Sequence, residues 1–195
     1  MAGTQPRQDA GTAHRALDVA EALAQTRGFN GFSYAHVAAE LGITKAGLHY
    51  HFPGKSELGE ALIARYSERF AGALARIDEE EQLDARRRLE AYIELYADVL
   101  AGRRMCLCGM LAAEYETLPA PMADAIIRFF DANQVWLTGV LEGGRADGTL
   151  SFKGDAGEAA QAVIGTLEGA MLIARPYRDV SRFQAAARRL LDGLT

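Results

Sequence analysis

The sequence predicts an all-helical protein of about nine helices: an N-terminal three-helix helix-turn-helix unit, then a larger helical body. Three observations predict it. Apolar residues recur at three- and four-residue spacing through almost the whole chain. Glycine and proline punctuate the boundaries of these periodic stretches. No period-two alternation runs long enough to support a sheet.

Residues 12–28 form the first helix, with Ala13, Ala16, Leu17, Ala20, Leu23 and Ala24 on one face, Thr12 as N-cap and Gly28 as the stop. The ten residues or so at the N-terminus read as loose chain. Ser33 caps a short second helix through Val37, Ala38 and Leu41, which Gly42 ends; Thr44 caps a third, closed by Pro53 and Gly54. The fourth is long, with Leu58, Leu62, Tyr66, Phe70, Leu74 and Ile77 in a stripe that dissolves into the mixed-charge run "DEEEQLDARRR". Leu89, Tyr92, Ile93, Tyr96, Val99 and Leu100 mark the fifth. A sixth is expected from near Met105 to about Thr117, where "LPAP" interrupts, and a seventh carries Met122, Ile126, Phe129, Phe130, Leu137 and Leu141 up to a break at "GGRADG". After "TLSFKG", a connection with room for a few extended residues, residues 155–175 and 179–191 make the eighth and ninth, separated by Pro176. The expected domains are residues 1–54 and 55–195.

The chain of 195 residues has 26 acidic against 21 basic side chains, a net charge of −5, which excludes a protein that coats nucleic acid over its whole surface but not a local reading patch. One window departs from the average. In "LGITKAGLHYHFPGKSEL", residues 41–58, no carboxylate falls between Glu40 and Glu57, while Lys45, Lys55, His49 and His51 crowd together. Cys106 and Cys108 are the only cysteines, too few for a disulfide framework or zinc site, which fits a reducing compartment. With no signal-peptide core and no apolar run long enough for a bilayer, the expectation is a soluble, cytoplasmic protein without membrane association. No motif asks for a cofactor.

At about 100° per residue, Leu48 and Phe52 fall on the inner side of the third helix with Ile43 and Leu41, and Ala46 and Tyr50 on the opposite side with His49 beside them and Lys45 and His51 on the flanks. Two short helices joined by a Gly-containing turn, "AAELGITKAG", form the unit that places its second helix in the DNA major groove. Ala46 and Gly47 keep that surface low. Tyr50 and the histidines reach phosphates or base edges, Lys45 and Lys55 neutralise phosphates, and the helix start near Ser33 and Tyr34 offers free amides. A plain surface αα-hairpin is the competing reading. A metal at His49 and His51 is not expected, because two positions along a helix set the rings roughly 160° apart.

The string "GFNGFSYAHVAAELGITKAGLHYHFPGKSELGEALI" resembles the DNA-binding region of the tetracycline-repressor (TetR) family of bacterial regulators, without a gap from about Thr12 to Phe70. "VAAELG", Thr44-Lys45, Leu48, Tyr50-His51-Phe52, Lys55 and Glu57-Leu58 carry the likeness. It implies a homodimer on double-stranded operator DNA, a repressor released by a small ligand held in the later helices. By position, Lys45, Ala46, Gly47, His49, Tyr50 and His51 form the reading helix after the Thr44 cap, and Lys55 touches a phosphate. His49 stands where tyrosine is usual and Gly47 where a hydroxyl residue is common, which bears on the operator rather than the fold.

In the larger body Tyr66, Phe70, Tyr92, Tyr96, Cys106, Met110, Tyr115, Phe129 and Trp136 are candidates for an aromatic, Met-lined space that would take a small hydrophobic effector, though core packing accounts for any one of them alone. The eighth helix carries Gly165 and Gly169 beside Ala162 and Ala170, a spacing that lets helices approach closely; in the family the last two helices pair between subunits. An alternative regulator senses electrophiles or redox state through Cys106 or Cys108, next to Arg103 and Arg104. Competing classes are an all-helical enzyme, for which no catalytic constellation is visible, and a helical interaction protein that never touches DNA.

Overall fold

The computed structural model describes residues 5–80 and 82–195, with side chains from residue 11 onward. Among these residues nine α-helices and one 3-10 turn follow in order: α1 (Gln5–Arg27), α2 (Tyr34–Leu41), α3 (Lys45–His51), α4 (Lys55–Glu79), α5 (Ala85–Ala101), α6 (Leu107–Ala112), the 3-10 turn Tyr115–Thr117, α7 (Ala120–Asp147), α8 (Ala156–Tyr177) and α9 (Val180–Asp192). No strand occurs among the described residues, so "TLSFKG" is not extended pairing; its one tie of that kind is Ser151 N–H donating to the Leu194 carbonyl at 2.8 Å.

Four boundaries differ from expectation. α1 begins at Gln5, so Thr12 lies inside it; of the residues expected to be loose, 5–10 are helical and 1–4 lie outside the described residues. α6 has only six residues, because the chain turns after Ala112 and puts the Glu114 carboxylate against another segment. α7 runs through Gly143 and Gly144 and stops before Gly148, whose φ is 81°. Gly144 is needed there: a Cβ would stand 2.5 Å from that of Ala85 and 2.6 Å from Leu150. Pro176 sits in the last turn of α8 rather than after it, at the cost of one i→i−4 hydrogen bond near the helix end, and Arg178 at φ 53° ends the helix.

Packing divides the chain into two compact units, the first comprising residues 1–66 and 107–126 and the second residues 67–106 and 127–195, with the divisions falling inside α4 and α7. In the first, Ala16, Ala20 and Ala24 of α1 are buried with Val37, Leu48, Phe52, Leu58 and Met122. Arg65 of α4 ties to α1 through Asp18 at 2.7 Å and Glu21 at 2.8 Å. In the second, α9 lays Phe183, Ala187 and Leu191 inward, and it packs on α8 and α5.

Candidate nucleic-acid interface and inner aromatic site

α2 ends at Gly42, φ 66°, a left-handed conformation that glycine takes without strain and that lets the chain reverse within two residues. Thr44 then caps α3, its Oγ1 accepting from the Gly47 amide at 3.1 Å. Leu48 is fully buried and Phe52 nearly so. The opposite side of α3 is open: Lys45, Ala46, His49 and Tyr50 are exposed, Tyr50 to 75%, with Gly47 and His51 partly so. Ile43 and Leu41 are only half-buried, so Leu48, with Phe52 just after the helix, is its main apolar anchor.

Tyr34 is less a DNA-facing residue than a latch. Its side chain is buried, its hydroxyl donates to the Phe52 carbonyl at 2.9 Å and also reaches that of Gly54, and its ring lies 4.6 Å from that of His49. Burial, with the Glu57 carboxylate adding to it, pushes the phenol up to about 12, so the proton that makes this latch stays in place. His49 Nδ1 lies 3.0 Å from the Pro53 carbonyl, which orients the ring at the edge of the exposed face. The Ser33 amide is not free as expected, since it donates to His36 Nδ1 at 3.1 Å; the first-turn amides of Tyr34 and Ala35 follow it.

Lys55 turns inward. Its ammonium donates to the carbonyls of Phe29 at 2.5 Å and Phe32 at 2.6 Å and stands over both rings, 4.4 and 4.6 Å from their centroids. Burial lowers its pKa while Glu114 opposes that shift. One donor remains for a phosphate, and Lys55 does line an open cleft of about 350 Å³ with Phe32, Ser33, Tyr34, Ala35, Lys45 and His49. Sequence reasoning missed Glu114, whose carboxylate accepts from the amides of Phe29 at 2.6 Å and Asn30 at 3.2 Å and fixes the loop before α2. No local signal marks a partner 85 residues away.

Of the effector candidates, Tyr66 and Met110 belong to the first unit, as does Tyr115, which is 42% exposed in its 3-10 turn and lines no interior. The second unit holds Phe70, Tyr92, Tyr96, Cys106, Phe129 and Trp136. Phe70 meets Tyr92, Tyr96 and Phe129 edge-on at 5.2–6.0 Å, and Trp136 stacks on Tyr92 at 5.5 Å. The Trp136 indole N–H donates to Asp78 at 2.9 Å, which fixes that wall. Two polar groups were missed: Asn133, buried, and Glu168 of α8, half-buried with its Oε1 sealed from solvent. Burial drives the Glu168 carboxyl up to about 7, while a hydrogen bond from Cys106 pulls the other way. Cys106 and Cys108 are both buried, whereas Arg103 and Arg104 are exposed, so the open electropositive setting of a reactive thiol is not what surrounds them.

On α8, Ala162, Gly165 and Gly169 are exposed and Ala170 half-buried; a methyl group added at Gly165 or Gly169 would meet nothing within 4 Å. Leu172 and Ile173 continue this face at 59% and 62% exposure. Among the described residues no helix is long and apolar enough to cross a membrane.

A short helix held by one buried leucine, offering a face of lysine, alanine, histidine and tyrosine after a glycine turn, defines a helix-turn-helix DNA-binding protein. Residues 16–62 match the model of bacterial regulatory proteins of the tetR family, and residues 85–190 that of the tetracyclin repressor-like C-terminal domain. The chain belongs to the TetR family of ligand-responsive, DNA-binding transcriptional regulators. It is similar to a TetR-family transcriptional regulator from Agrobacterium tumefaciens, with 33% identity, a TM-score of 0.92 and coverage of 96% of this chain and 99% of that one. A TetR regulator from Legionella pneumophila is 28% identical with a TM-score of 0.85 over the whole of both chains. Nucleoid occlusion factor SlmA of Vibrio cholerae is 28% identical over 157 residues, 78% of each protein.

Proposed function

We propose that the protein is a cytoplasmic, homodimeric repressor, without catalytic activity, that leaves its operator when a small hydrophobic molecule enters the second unit. The observation that carries the DNA reading is the exposed face of α3, where Lys45, Ala46, His49 and Tyr50 stand outward on a helix anchored by Leu48. Ala46 and Gly47 let the backbone approach the groove, and Lys45 with the cleft beside Lys55 takes phosphates. His51 lies at the flank, and Ser33 and Tyr34 serve by presenting the start of α2.

The dimer reading draws support from α8, whose small-residue stripe of Ala162, Gly165, Gly169 and Ala170 faces away from its own chain and runs into Leu172 and Ile173. A second copy there would bury that apolar face, and a helix-turn-helix dimer reads two half-sites about one DNA turn, ~34 Å, apart. An effector need only favour a dimer in which that spacing is lost. The residues proposed to receive it are Phe70, Tyr92, Tyr96, Cys106, Phe129 and Trp136. A covalent response through Cys106 or Cys108 would first have to expose a buried thiol.

Selection of bound duplexes from a random DNA pool, followed by displacement with apolar aromatic compounds, tests this reading. An enriched two-fold-symmetric site that such compounds displace is the expected result. Absence of any enriched sequence would refute the regulator reading, and a monomer by sedimentation at micromolar concentration would refute the dimer.

A further inference from the structure

The polar groups inside the second unit form a directed chain. The Tyr96 hydroxyl lies 3.1 Å from that of Tyr92, the Tyr92 hydroxyl donates to Asn133 Oδ1 at 3.1 Å, and Asn133 Nδ2 donates to the Phe129 carbonyl at 2.8 Å. With Tyr92 committed to Asn133, the proton between the two phenols belongs to Tyr96. Each hydroxyl therefore spends its one proton inside the chain.

Glu168 borders this chain: its charge bears on the titration of both Tyr92 and Tyr96. The Cys106 thiol supplies one hydrogen bond to its carboxyl, and Oε1, sealed from solvent, has no partner. No arginine or lysine figures among the groups that shift it. The tyrosines whose titration it influences belong to an electron-rich ring cluster, with Phe70 against Tyr92 and Tyr96 and Trp136 stacked on Tyr92. The interior is thus furnished with an acceptor and π faces, and the neighbouring hydroxyl donors are spent. A buried acceptor left unmade is costly, and a ligand that donates to it recovers that cost.

Resting on the effector reading above, we propose that Glu168 is the recognition group for a lipophilic cation, an aromatic amine whose ammonium donates to Oε1 and whose charge lies against the ring faces. A carboxylate oxygen accepts most strongly from a charged donor, and aromatic faces attract cations but not anions. A neutral aromatic alcohol of the same shape brings one uncharged donor to Oε1 but no charge for the ring faces, and an aromatic acid meets a like charge.

Isothermal titration of the full-length protein at pH 8, where Glu168 is ionised, separates these cases with three probes of one size: 2-naphthylmethylamine, 2-naphthalenemethanol and 2-naphthoate. The expected result is binding of the amine at least tenfold tighter than the alcohol, with the acid weakest. Glu168→Gln, which keeps the shape and an acceptor oxygen and is checked by its melting temperature, should remove that preference while weakening the alcohol far less than the amine. Equal affinities, an amine affinity unaltered in Glu168→Gln, or binding of none of the three would overturn the cation site. Operator displacement read in parallel keeps the two readings apart: if the alcohol releases DNA and the amine has no advantage, the cation site falls while the effector-gated repressor stands.

Discussion

On α3 the polar side chains point outward and a single fully buried leucine, Leu48, holds the helix down; in the second unit apolar side chains close around a polar chain from Tyr96 through Tyr92 to Asn133, beside Glu168. The two regions are built from similar residue types, yet they differ in what their polar groups are free to do. Tyr50 is 75% exposed and available to a partner, whereas Tyr92 and Tyr96 are buried and their hydroxyls are committed. A surface face reads a ligand by what it leaves open, while an interior reads one by what it leaves unsatisfied.

The strongest way to break this contrast is at Leu48. Leu48→Ala removes the buried side chain that seats α3 and should cost roughly 2–5 kcal/mol of stability and all measurable operator binding, read by denaturant melts and anisotropy. A variant that melts normally would show that α3 is held by something else.

Next in size is the pH dependence set by Glu168. Its folded pKa is raised from 4.5 to about 7, so between these values the folded state binds more protons than the unfolded chain. Stability from this group is therefore present at low pH and falls as pH rises toward 7, by on the order of 1–3 kcal/mol. Melts of wild type and Glu168→Gln across that range should diverge, the variant lacking this component of the slope. Parallel curves would mean that the carboxyl is solvated.

A smaller effect sharpens the first region. Tyr34→Phe removes the hydroxyl that ties α2 to the carbonyls after α3 and should lower stability by about 1–2 kcal/mol while weakening operator binding. Smallest is Gly47→Ala. A Cβ there meets only Thr44 Oγ1, at 3.5 Å, so alanine should stabilise the helix by about 0.5–1 kcal/mol. If it also weakens the operator complex, the loss belongs to the interface and not to the fold.

The helix-turn-helix was legible because its determinants are local. Gly42, Thr44 and the three- and four-residue spacing of Leu48 and Phe52 lie within one short window, and the wheel assigned their faces as the structure has them. Breakers were misread where packing overrides them: Gly144 reads as a helix end but is a close contact with Ala85 and Leu150, and Pro176 reads as a stop but occupies a last turn. The inward turn of Lys55, the hold of Glu114 on the Phe29 amide and the burial of Glu168 were not legible. A charged residue has the same appearance in sequence whether it meets solvent or a partner that folding brings from elsewhere in the chain. Tyr115 shows the converse, an aromatic assigned to an interior that the structure places at the surface.

The most direct test of the DNA-reading face is the salt dependence of binding to a selected operator, measured by anisotropy for wild type and Lys45→Ala. Wild type should lose affinity steeply with salt, by a log–log slope of about 0.9 for each phosphate neutralised, and Lys45→Ala, missing one contact per protomer, should lower that slope by roughly 2 across the dimer. An unchanged slope in the variant would contradict the placement of α3 on DNA.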